Sequence, residues 1–147
     1  MRNNKAYYPG KHRALILKIL IDYGYEETNL VFVDNIGEWA LQNGIKSILR
    51  DLERLGGFME IALTLCINKS NKKLRLFVFS NVAPPSSVRQ ILNNPVLTNQ
   101  YLSDYLETER QFIAHRVLHE VAHAKKGYTE QEEQKCDEWA LKEMKFV

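Results

Sequence analysis

Long apolar runs are missing from this chain of 147 residues. No stretch approaches the roughly 18 consecutive apolar residues that a membrane-spanning helix needs. The nearest, residues 14–21, is interrupted by Lys18 and is followed by no small-residue cleavage site of a secretory signal. Cysteine is scarce as well. Cys66 and Cys136 stand far apart and in no Cys-x-x-Cys spacing, which excludes a disulfide framework and an all-cysteine zinc site and reads as two free thiols in a reducing, cytoplasmic setting. An excess of one charge is also lacking: 20 Lys+Arg against 18 Asp+Glu give a net charge of +2, so the balance favours neither nucleic acid nor a membrane surface as partner. The cluster Lys69, Lys72, Lys73 and Arg75 reads as a solvated turn and not as a nucleic-acid site.

What is present is apolar material, 45% hydrophobic and 10% aromatic residues, enough to give one domain a core. The whole chain, 1–147, reads as that domain, with residues 1–9 as a flexible arm loosened by Asn3-Asn4 and Pro9-Gly10. Helical spacing of Leu15, Ile16, Ile19 and Leu20 predicts a helix over 11–23 closed by Gly24. Residues 30–33 suit a short strand, and 37–55 one or two helices. Runs 58–67 and 74–79, separated by the polar residues 68–73, predict an antiparallel hairpin. Residues 83–87, with two prolines, break the chain, and Pro95 interrupts it again. Thr108 with Gln111 three residues on is a capping box, and Phe112, Ile113, Val117, Leu118 and Val121 continue at helical spacing to Lys126 and the stop at Gly127. A second capping box, Thr129 with Glu132, predicts a last helix with Cys136, Ala140 and Met144 on its apolar face.

The first of these two helices carries His119-Glu120-Val121-Ala122-His123, an HExxH pattern. With four histidines in the chain, chance would supply this pattern on the order of 0.01 times. Four residues are slightly more than one helical turn, so both imidazoles project from one face, close enough to hold one zinc ion. Glu120 is rotated about 100° from His119. It therefore stands beside the metal, placed to take a proton from an attacking water.

A catalytic zinc usually has three protein ligands, so a third donor has to come from elsewhere. The last helix offers Glu133 and Asp137, four residues apart on one face. A carboxylate on a buried face is costly unless a cation receives it. Neighbouring Glu132 is accounted for by the capping box, which leaves Glu133 as the preferred ligand and Asp137 as the alternative. His115, one turn before His119, reads as a polar neighbour and not as a third histidine ligand. Cys136 reads as a small buried apolar residue. Nothing singles out Tyr101, Tyr105 or Tyr128 as an oxyanion donor.

Over residues 108–145 the pattern HExxH followed by Glu133-x-x-x-Asp137 resembles the gluzincin metallopeptidases, and Glu133-x-x-Cys136-Asp137-x-x-Ala140 is similar to the ExxAD or ExxAN box of ImmA/IrrE-type and HtpX-type enzymes. The resemblance implies that Glu133 completes the zinc site and that Asp137 hydrogen-bonds a zinc-bound histidine from behind. Two departures stand against it. Nine residues separate His123 from Glu133, a spacing shorter than in thermolysin-like enzymes, and Cys136 replaces the usual alanine. The expectation is an α+β, zincin-like single domain with an HExxH helix, a ligand-bearing helix and a small sheet. It would hydrolyse peptide bonds in a peptide or protein substrate with Zn2+ as cofactor, and strand 74–79 would serve as the sheet edge that pairs with the substrate. The alternative from another class is a non-catalytic zinc-binding or protein-interaction domain on the same fold.

Overall fold

The computed structural model describes residues 5–45, 61–69, 72–93, 108–128 and 132–144, with the backbone alone at 67–69, 72–73 and 133. A 3-10 turn, Pro9–His12, leads into α1, Arg13–Asp22, and a second, Glu27–Asn29, into β1, Leu30–Val33. There follow α2 (Ile36–Gln42), β2 (Ala62–Lys69), β3 (Lys72–Ser80), α3 (Pro85–Leu92), α4 (Glu109–Lys126) and α5 (Glu133–Met144). The described residues therefore form an α+β fold with a three-stranded sheet. Among the described residues no helix is long and apolar enough to cross a membrane.

Local chemistry accounts for most of the boundaries. Gly24 takes φ 91°, and the Tyr25 and Gly24 N–H groups return to the Leu20 and Ile21 carbonyls at 2.9 and 3.0 Å, a Schellman closure of α1. Asn35 caps α2 by accepting from the Glu38 N–H at 2.9 Å. The second half of the expected 37–55 helical stretch, from residue 46, lies outside the described residues. Pro85 opens α3 in place of continuing a break, because the missing N–H of a first helical residue has no helical partner to lose.

The hairpin forms with Ala62 opposite Phe79 and extends to Lys69 opposite Lys72. Asn68, Lys69, Lys72 and Lys73 of the polar stretch 68–73 are thus part of the ladder. β1 joins the other side of β3 in parallel, Leu30 beside Phe77 through Val33 beside Ser80, so the order is β1-β3-β2. This corrects the assignment of 74–79 as a sheet edge. β3 is central, and Phe77, Val78 and Phe79 are all buried. A near-continuous apolar run is what a strand covered on both faces requires.

The two faces carry two cores. Phe77 and Phe79 pack with Ile16 and Leu20 of α1, Val88 of α3, Phe112, Val117 and Val121 of α4 and Ala140 of α5. Leu76 and Val78 point the other way, against Ile36 of α2. Truncating Phe77, which is 0% exposed, is expected to cost about 3–5 kcal/mol. Urea unfolding of Phe77→Ala checks this, and a loss below about 1 kcal/mol would contradict the packing described.

Of the expected flexible arm, residues 1–4 lie outside the described residues, and Tyr7 is held in place. Tyr7 donates its N–H to the Ala83 carbonyl at 3.0 Å and accepts from the Ala83 N–H at 2.7 Å. Its ring meets Phe112 edge-on at 5.0 Å. An aromatic side chain that can bury itself at the foot of α4 offsets the entropy of ordering this segment.

Candidate metal centre

α4 holds its functional groups where it does because both of its ends are defined. The Thr108 hydroxyl accepts from the Gln111 N–H and the Gln111 side chain accepts from the Thr108 N–H, each at 3.1 Å. At the other end Gly127 takes the left-handed φ of 67° that stops the helix. Between them Phe112, Ile113, Val117, Leu118, Val121 and Ala122 are buried, and so are His115, His119 and Glu120. Polar groups in such a position need partners.

The histidine partners define the centre. His119 and His123 follow one another along α4, their rings edge-to-face with centroids 5.0 Å apart. His119 Nδ1 lies 2.7 Å from Asp137 Oδ1, and His123 Nδ1 lies 2.7 Å from the Tyr128 carbonyl oxygen. A carboxylate and a carbonyl only accept, so each ring donates through Nδ1–H, and in the neutral imidazole the lone pair sits on Nε2. This is how a histidine is held when its other nitrogen binds a metal. Glu120 stands alongside, its Oε2 3.9 Å from His119 Nε2.

Asp137 serves more than one donor. The Arg116 guanidinium donates to its Oδ1 at 2.6 Å. Burial pushes the Asp137 carboxyl up, but Arg116, the hydrogen bond from His119 and nearby His115 together outweigh it and hold the group well below the usual carboxylate range. Arg116 Nη2 also lies 2.8 Å from His115 Nδ1. Arginine has no lone pair to offer, so His115 accepts there and carries its proton on Nε2, which faces Asp137 at 3.7 Å without a hydrogen-bond partner among the described residues. Burial first, and Arg116 second, keep His115 neutral by lowering its pKa well below its ordinary value. His115 thus packs behind His119 as part of the Arg116–Asp137 cluster. Removing the carboxylate in Asp137→Ala strands the Arg116 charge, whose side chain is only 11% exposed, and is expected to cost about 3–5 kcal/mol. Any metal held by His119 should then bind about 10–100-fold more weakly. Denaturant titration and metal competition measure the two losses separately.

The structure brings together His119, His123 and Cys136, whose donor atoms all lie within 4.8 Å of one another. These three form a group that could hold a metal ion. Glu133 opens α5, but its side chain, like Tyr101, Tyr105 and Thr129, lies outside the described residues. Cys136 has the burial expected of it, 0% exposed, yet its sulfur stands beside the imidazoles. The sequence signal for this was the cysteine found where the resembled box has alanine. Tyr128 contributes through its backbone carbonyl, a role no side-chain pattern announces. The chain matches none of the protein-family models, curated proteins or solved structures with which it was compared.

Proposed function

We propose that the protein is a zinc-dependent peptidase of zincin type. The observation that carries this reading is the pair of imidazoles on one face of α4, each turned by an acceptor on Nδ1, with the buried carboxylate of Glu120 beside them. His119 and His123 would hold the metal, α5 would supply the remaining protein donor, which the gluzincin resemblance assigns to Glu133, and Asp137 fixes the ring of His119. The imidazole-rich donor set suits zinc. When bound, zinc supplies Lewis acidity that makes water nucleophilic near neutral pH and steadies negative charge on the substrate carbonyl oxygen.

The chain's own residues do the rest. Glu120 accepts the proton of the attacking water and passes it to the amine that leaves. Its burial, 6% exposed, keeps bulk water from taking over that transfer. Among the described residues no strand pairs with the outer edge of β2, which packs against α4, and an extended peptide would fit there. Backbone pairing with a substrate strand at that edge would position a peptide bond with little dependence on its side chains. Neither Cys66 nor Cys136 is in a disulfide. Incubating the zinc-loaded protein with a broad peptide library, with products read by mass spectrometry, tests the reading. Cleavage that stops on zinc removal and resumes on its return is the expected result, and no cleavage at any zinc loading would contradict it.

A further inference from the structure

We infer that Cys136 is itself a ligand of the metal centre, its thiolate joining His119 and His123. This rests on the metal-binding reading of the two histidines. The three donor atoms already lie within 4.8 Å of one another. A tetrahedral zinc site with these ligands spaces its donors roughly 3.5 Å apart, so closure needs side-chain movements of about an ångström. The backbone at Cys136 is held in the right place to make them. The next residue, Asp137, is tied to His119 at 2.7 Å and to Arg116 at 2.6 Å, which clamps this turn of α5 against the HExxH turn of α4. Ala140 and Leu141, one turn on, are core residues.

The chemistry of the position agrees. Cys136 is buried and in no disulfide, whereas Cys66 is exposed on β2. A thiol brought up to a divalent cation gives up its proton, and the resulting thiolate offsets one of the cation's two charges inside the core. A set of two imidazoles and one thiolate favours thiophilic ions such as zinc and cadmium over magnesium, calcium or manganese. Three protein donors also leave a fourth position for water, so Glu120 keeps its task. Glu133, three residues earlier on α5, competes with Cys136 for the place of third ligand.

Cobalt(II) added to the metal-free full-length protein separates the possibilities, because cobalt shows visible ligand-field bands at any such site but a near-ultraviolet charge-transfer band only with a thiolate ligand. The wild type is expected to show both, Cys66→Ser to keep both, and Glu133→Gln to keep the near-ultraviolet band. Cys136→Ser should lose that band, retain the visible ones and bind cobalt at least about 10–100-fold more weakly, the cost recorded even for outer-shell changes. Visible bands without the near-ultraviolet band in the wild type would overturn the assignment of Cys136, as would a band that survives in Cys136→Ser. A protein that takes up no cobalt at all would overturn the metal reading beneath it, a different and recognisable failure. The wild-type spectrum decides whether a thiolate is present, so that outcome does not depend on how well a variant folds.

Discussion

Glu120→Gln is expected to lower peptide hydrolysis by about 10²–10⁴-fold, the usual contribution of a positioned general base, while leaving metal content and fold intact. The substitution preserves shape and removes only the capacity to take a proton. Glu120 stands beside His119 and not in the group of His119, His123 and Cys136, so no ligand is lost with it. The measurement is a side-by-side comparison of library cleavage by the two proteins after equal zinc loading. Equal rates would show that another base, or another protein in the preparation, performs the reaction. A zinc-loaded wild type as inert as the variant would favour the alternative expected from the sequence, a zinc-binding or interaction domain without catalysis.

His123→Ala should abolish most metal binding. It removes one of the two imidazoles of the candidate metal group, together with the hydrogen bond its ring donates to the Tyr128 carbonyl. The fold should survive, because His123 sits near the end of α4, beyond the apolar residues Val117, Leu118 and Val121 that anchor the helix in the core. Circular dichroism with elemental analysis distinguishes loss of metal from loss of structure. Undiminished metal content in a folded His123→Ala protein would place the metal elsewhere.

The parts of the fold legible in the sequence are those whose causes are local. Thr108 with Gln111, and Gly127 after Lys126, mark the two ends of α4 by hydrogen bonds and a backbone angle that involve only neighbouring residues. The hairpin announces itself through two apolar runs flanking a polar one, although its ladder runs further into the polar residues than composition suggests. The parallel partnership of β1 with β3 is a matter of long-range packing, and no local signal separates a central strand from an edge strand when runs are short. Tyr7 was assigned to the arm by the asparagines and by the proline-glycine pair around it, but its attachment is to Ala83, far along the chain.

The site divides in the same way. The spacing of His119, Glu120 and His123 is readable because a helix converts it directly into a shared face. Spacing singles out Asp137 as a possible ligand, but its place behind a histidine is readable only through the resemblance, and the structure gives its carboxylate to His119 and Arg116 together. Arg116 stands one turn before Glu120 on α4, and α5 brings the Asp137 carboxylate to it at 2.6 Å. Tyr128 acts through a main-chain oxygen that every residue possesses, so its identity carries no information. Cys136 was hidden by its own suitability for a core position, since a small, weakly polar side chain fits an apolar face whether or not it also meets a metal.

Metal content of the wild-type protein, purified without added zinc and measured beside His123→Ala, tests the central claim most directly. The wild type is expected to carry about one zinc per chain, the occupancy of a single four-coordinate site, and the variant little or none. A folded wild type that carries no metal and takes up none when zinc is supplied would contradict it.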